Sequence, residues 1–213
     1  MYLSLAFKGD GLRCLIVGGG EVALRKLKLM LETGCAMTVI SPRIHDGIQS
    51  AVAEKGVQWI AREIRAGDCR GYQLVIAATE RREINRAISE EAKSLGIPVN
   101  VVDDPELCTV IFPAVWRKGP LTIAVTTEGA APFMAAAVRD RIAIHGEPLA
   151  GWVEIAAKFR AAVRSGIRDL EEKRLLYQQF EDAIQPGDPP DSPESDKLGD
   201  WIAWLEKLRG KPQ

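Results

Sequence analysis

The stretch VGGGEVA, residues 17–23, decides the reading of this chain. Gly18, Gly20 and Ala23 fill the pattern G-x-G-x-x-G/A. The first glycine permits a tight turn, the second lets backbone approach a pyrophosphate, and the small third residue lets helix and strand pack closely. An apolar run precedes it at 12–17 (LRCLIV) and reads as a buried strand. A helical pattern follows over 21–32, with Val22, Leu27, Leu29, Met30 and Leu31 apolar, and stops near Gly34. Strand, glycine turn and helix form the context that gives the motif its meaning. The helix start offers unpaired N–H groups and a partial positive charge to phosphate. The residues of this stretch expected to bind a dinucleotide are therefore Gly18, Gly19, Gly20, Glu21, Val22 and Ala23, with the pyrophosphate over Gly18–Val22.

The same rhythm continues outward. Strands are expected at 37–40, 57–60, 74–78 and 99–102, with helices at 44–54 and 82–94. Short apolar strands separated by helices predict a parallel sheet covered on both faces, an α/β fold of Rossmann type. After Pro113 the pattern changes to a strand at 121–126, a Gly129–Pro132 turn and a helix over 133–144. Helices are expected at 149–165 and 167–184, a Pro/Asp/Ser-rich loop or disordered spacer at 185–200, and a last amphipathic helix at 201–209. The expected division is 1–113 for dinucleotide binding, 114–146 as a small α/β dimerisation segment, and 147–213 as a helical C-terminal region.

Net charge is −1 over 213 residues, which argues against a general nucleic-acid binder. No apolar run reaches the roughly 18 residues of a membrane span. The start, MYLSLAFKGDG, lacks the basic and apolar regions of a signal peptide, so a cytoplasmic location is expected. Cys14, Cys35, Cys69 and Cys108 show no metal-ligand spacing with His45 and His145, and no metal site is expected.

Residues near the ends of the expected strands suggest chemistry. A dinucleotide site usually has Asp or Glu about 20 residues beyond the glycines to hold ribose hydroxyls. Here Ser41, Pro42 and Arg43 stand there, so Ser41 and Pro42 are the ribose-side candidates and NAD is not separated from NADP by charge. Ala77–Thr79 closes a strand with small residues, and Ala78 and Thr79 leave room for the cofactor. Asn85 could reach back to that loop. NVVDD at 100–104 puts two carboxylates at the carboxyl end of a strand, the edge at which parallel sheets bind ligands. Asp103 could take a proton as hydride leaves to a nicotinamide; Asp104 precedes a proline and fits ordinary turn chemistry.

Taken together, CLIVGGGEVALRK (14–26), LVIAATERREIN (74–85), VNVVDDPELC (99–108), IFPAVWRKGPLTIAVTTEGAAP (111–132) and VRDRI (138–142) resemble the precorrin-2 dehydrogenase / sirohydrochlorin ferrochelatase family, of the siroheme synthase N-terminal type. The resemblance covers about residues 1–145. It implies NAD-dependent oxidation of precorrin-2 to sirohydrochlorin, a homodimer built through the segment after the NAD domain, and a general-base role for Asp103. It also implies a substrate cleft bordered by the segment around Thr126–Pro132, with Asn100, Thr126, Thr127, Gly129 and Arg139 expected at the substrate. The chain departs from the family where Ala131 replaces a serine, Glu128 a glycine and Ala136 an arginine. Two alternatives stay open at this point: a bifunctional enzyme that also inserts ferrous iron, and a non-catalytic NAD-sensing module.

Overall fold

β1 (Arg13–Val17) sends Cys14 and Ile16 into one core and Leu15 and Val17 into another, and all four are buried. A parallel strand apolar on both faces needs helices on both sides. The computed structural model, which describes residues 1–210, shows them in the first of two compact units, Met1–Phe112 and Pro113–Gln213.

In the first unit β1 joins β2 (Ala36–Ile40), β3 (Gln58–Ile60), β4 (Leu74–Ala77) and β5 (Val99–Val101) in one sheet. The order is β3-β2-β1-β4-β5 and every pairing is parallel. α1 (Glu21–Leu31) buries Ala23, Leu24, Leu27 and Met30, the stripe spacing of an amphipathic helix. Together with α2 (Asp46–Lys55) it closes the core that contains Cys14 and Ile16. α3 (Arg82–Ser94) contributes Ile88 and Ala92 to the core that contains Leu15 and Val17. Successive strands step from β1 to β3 in one direction, and β4 then returns to the other side of β1. Ligands bind at such a reversal, outside the carboxyl ends of the strands.

Residues 61–73 connect β3 to β4 without a helix. Arg62 donates to both carboxylate oxygens of Asp68 at 2.6 and 2.8 Å. Glu91 on α3 accepts from the Gly67 and Cys69 N–H groups. The Arg62 hydrogen bond holds the Asp68 carboxyl below its ordinary pKa. Burial pushes the Cys69 thiol up to about 12 and raises that of Cys14 as well, which fits packing roles for both. Strand and helix limits in this unit fall within two residues of those expected from the sequence.

The second unit differs more from expectation. β6 (Ala114–Lys118), which the sequence pattern did not reveal, pairs antiparallel with β7 (Leu121–Val125) around a two-residue Gly119–Pro120 turn. The helices expected at 133–144 and 149–165 are one 35-residue helix, α4 (Pro132–Gly166). Gly146 is therefore no helix end. A Cβ there would come within 2.8 Å of the Trp116 ring, so glycine lets α4 lie close on the hairpin. Pro148 also sits inside α4, and the expected division at 146/147 falls within this continuous helix.

α5 (Leu170–Asp182) and α6 (Leu198–Arg209) pack with the second half of α4 around Trp152, Phe159, Phe180 and Trp201. Phe159 stacks on Phe180 with ring centroids 4.9 Å apart. The proline-rich connection into α6 is irregular but tied down. The Trp201 and Trp204 indoles donate to the Ser195 and Asp191 carbonyls, each at 2.7 Å. The end of the expected spacer, 198–200, is the first turn of α6. No helix among the described residues is long and apolar enough to cross a membrane.

Candidate functional site

The three glycines after β1 have different reasons to be glycine. Gly18 has φ +122°, and a Cβ there would lie 2.2 Å from the Ala78 carbonyl oxygen. At Gly19 a Cβ would lie 2.0 Å from the Arg43 carbonyl oxygen. These two allow the turns after β4 and β2 to press against the loop. Gly20 is extended, with φ −85°, and a Cβ there would meet nothing within 4 Å. Its bare backbone faces open space. It is the N-cap of α1 and gives that helix no side-chain cap, which leaves the first-turn N–H groups available to an anion. This cradle fits a dinucleotide pyrophosphate.

The open space is a cavity of about 940 Å³ along the carboxyl edge of the sheet. Gly18, Gly19, Gly20, Glu21 and Val22 line its middle. Ser41, Pro42, Arg43 and Ile44 line the β2 side, with Glu63 and Ile64 beyond β3. Ala78 and Thr79 line the β4 side, and Val102, Asp103 and Asp104 the β5 side. Ala23 does not line it. Ala23 is fully buried in the core beneath α1, so its small size serves packing rather than contact with a ligand.

Asn85 fixes the β4 end of the cavity. It is buried on α3; its Oδ1 accepts from the Thr79 N–H and hydroxyl at 3.2 and 2.7 Å, and its Nδ2 donates to the Thr79 carbonyl at 2.9 Å. Both the amide's acceptor and its donor are thus committed to one residue.

Asp103 is exposed and has φ +58°, a left-handed conformation that Asp tolerates better than most side chains. Such outliers persist where surrounding structure over-determines them. Here the Val102 N–H donates to the Ala77 carbonyl, and the Ser89 hydroxyl donates to the Leu107 carbonyl at 2.6 Å. Arg82 on α3 pairs with Asp104 at 3.0 Å. Asp104 is anchored, while Asp103 lines the cavity and makes no ion pair among the described residues. Nearby, the Lys26 ammonium lies 4.3 Å from the Phe112 ring centroid. Burial and Arg25 push the Lys26 pKa down, against the opposing pull of Cys108 and Asp103.

Asn100 is not brought to the cavity. It projects from β5 opposite to Val99 and Val101, is buried, and donates to the Val110 carbonyl at 3.0 Å. The substrate role expected for it gives way to holding the chain after β5. In the second unit, Thr126 and Thr127 accept through their hydroxyls from the Glu128 and Ala131 N–H groups, each at 3.1 Å. They build the turn that enters α4, in which Gly129 has φ +84°. Arg139 is on α4 and pairs with its neighbour Asp140.

The sequence pattern points to neither Glu63 nor Arg81 as a wall residue, since nothing marks 61–73 as a return to the sheet edge or Arg81, just before α3, as facing the cavity. His45, which has no metal-ligand spacing in the sequence, holds local structure. Its Nδ1 caps α2 by accepting from the Gly47 N–H, and its Nε2 lies 3.1 Å from a Glu21 carboxylate oxygen. Its place just before a helix is the signal that could have shown this. Among the described residues no group of three or more His, Cys, Asp or Glu is placed to hold a metal ion.

Comparison with known proteins agrees with this geometry. Residues 5–114 match the family described as "Putative NAD(P)-binding", and residues 118–145 match "Sirohaem biosynthesis protein central". Siroheme synthase of Pseudomonas putida strain W619 is 40% identical over 182 residues, 83% of this chain and 38% of that protein. Siroheme synthase of Methylobacillus flagellatus is 41% identical over 170 residues, 78% of this chain and 36% of that one. The chain thus spans well under half the length of the curated relatives it matches. A solved structure titled "SirC, precorrin-2 dehydrogenase" shares the fold with a TM-score of 0.70 at 19% identity, covering 99% of this chain and 100% of that one.

Proposed function

The chain belongs to the NAD(P)-binding family of sirohaem biosynthesis, and from that premise we propose that it oxidises precorrin-2 to sirohydrochlorin with NAD. The observation that carries the proposal is one continuous cavity running from a bare glycine cradle to the exposed carboxylate of Asp103. When bound, NAD supplies the acceptor for a hydride. Gly18, Gly19 and Gly20 let backbone approach the pyrophosphate, and the α1 start stabilises its charge. Ser41, Pro42, Ala78 and Thr79 bound the nucleoside positions, and the Asn85 clamp keeps Thr79 from drifting.

The oxidation removes two hydrogens from precorrin-2. A bound cofactor would take one as hydride and the Asp103 carboxylate would take the other as a proton, so the products would be sirohydrochlorin, NADH and a proton. Asp103 follows β5, on the opposite side of β1 from the residues after β2 and β3. That separation fits an adenosine half on the β2 side and a reacting half on the β5 side. Of the residues expected at the substrate, Thr126, Thr127, Gly129 and Arg139 remain in this proposal as residues of the second unit.

The functional form in this reading is a homodimer. Met134, Val138 and Ile142 recur at four-residue spacing on α4 beside Phe133, and all four are exposed in a single copy. Four cysteines without a disulfide suit a reducing compartment, and the reading places the enzyme in the cytoplasm.

The test is anaerobic incubation of the protein with precorrin-2 and NAD. NADH and sirohydrochlorin should appear in equal amounts; no NADH above a protein-free control overturns the proposal.

A further inference from the structure

The reading of the cavity as a dinucleotide site leaves the 2′-phosphate of NADP undecided, and this inference rests on that reading. NAD-selective sheets place a carboxylate at the end of the second strand, where it bonds the ribose 2′-hydroxyl and repels a 2′-phosphate. In this chain β2 ends at Ile40 and the next residues are Ser41, Pro42 and Arg43.

Ser41 is not a free substitute for that carboxylate. It is buried, and its hydroxyl donates to the Arg43 carbonyl at 2.6 Å. Its own carbonyl accepts from the Trp59 indole at 3.0 Å. The turn is also fixed against the glycine loop, since the His45 N–H donates to the Gly19 carbonyl at 2.7 Å. The Ser41 proton is thus used within the turn, which presents a defined wall to the ribose.

Arg43 completes that wall. It is exposed, lines the cavity, and has no carboxylate partner for its guanidinium among the described residues. Two of the carboxylates that line the cavity face partners of their own. Glu63 faces Arg81 at 3.6 Å, and Glu21 faces His45. A cation without a partner, at the place where a carboxylate would exclude phosphate, attracts it instead. Guanidinium geometry matches phosphate through paired N–H donors.

We propose that the cavity accepts NADP as well as NAD, with Arg43 as the ligand of the 2′-phosphate. NAD, which carries a hydroxyl there, gains little from Arg43. The side chain is therefore a discriminator between the two cofactors rather than part of the common binding machinery.

The test is isothermal titration of the full chain with NAD and with NADP, in a buffer free of phosphate, for the parent protein, Arg43→Ala and Arg43→Lys. The parent should bind NADP within about tenfold of NAD. Arg43→Ala should weaken NADP by about ten- to hundredfold, the range for losing hydrogen bonds to a charged group, and change NAD by less than about twofold. Arg43→Lys should recover part of the loss. Melting temperatures equal to the parent's confirm that an exposed turn residue was changed without unfolding. Tight NAD binding with NADP bound more than about a hundredfold more weakly would overturn the proposal and leave the cavity reading intact. Equal weakening of both cofactors by Arg43→Ala would overturn it too. Failure of both cofactors to bind would remove the proposal together with the reading beneath it.

Discussion

Replacing Gly18 and Gly20 by alanine, one at a time, separates folding from binding at positions two residues apart. Gly20 has an ordinary extended backbone and clear space around its missing Cβ. Gly20→Ala should therefore fold without strain and gain about 0.4–1 kcal/mol by restricting the unfolded chain. Its methyl group would stand where the pyrophosphate must meet backbone, and NAD affinity should fall at least about tenfold, or 1.4 kcal/mol. Gly18 is the converse. Its φ of +122° disfavours any L side chain, and its Cβ would lie 2.2 Å from the Ala78 oxygen, so backbone must move. Strain of about 1–3 kcal/mol for the conformation, with the clash added, predicts a loss of about 3 kcal/mol or more. At roughly 2–4 °C per kcal/mol, the melting temperature of Gly18→Ala should drop about 6–12 °C. The assay pairs melting by circular dichroism with NAD titration. A Gly20→Ala protein that binds NAD like the parent would refute the placement of pyrophosphate on the α1 start.

Other consequences are independent of the glycines. Asp103→Asn keeps a side chain that tolerates positive φ; stability and NAD affinity should hold while kcat for NADH formation falls about 10²–10⁴-fold. Val138→Glu with Ile142→Glu places charges on the exposed apolar side of α4, and light scattering should report dimers for the parent and monomers for the variant. The Asp68 carboxyl is lowered in the fold by Arg62, so its contribution is present above the unfolded carboxylate pKa of about 3.9 and lost as pH falls through the lower folded value. Melting should be insensitive to this pair down to about pH 5 and weaken below about pH 4, and Asp68→Asn should remove that part of the acid sensitivity.

The first unit was legible because its signals are local. A buried strand, three glycines and a helix follow one another within twenty residues, and each element names the next. Asp103 was legible for the same reason, since it ends a strand. Asn100 was misread because adjacent residues on a strand point to opposite sides, and only the fold shows that its side holds residues 108–110. Glu63 reaches the cavity through an irregular 61–73 connection whose path is set by Arg62, Asp68 and Glu91, far apart in sequence, and Arg81 reaches it from the turn between β4 and α3. The break expected in α4 spans Gly146 and Pro148, both poor helix residues by propensity. Tertiary contact overrides them, because Gly146 lies against Trp116 and residues from Trp152 onward are anchored in an aromatic core. β6 contains Arg117 and Lys118 and lacks a clear apolar alternation; it exists by pairing with β7.

A crystal structure of the NAD complex tests the central claim most directly. The account predicts pyrophosphate oxygens within hydrogen-bond distance of the amides that open α1, and the nicotinamide ring at the β5 end of the cavity beside the Asp103 carboxylate. A cofactor bound elsewhere, or one in this cavity with its nicotinamide at the Ser41 end, would contradict it.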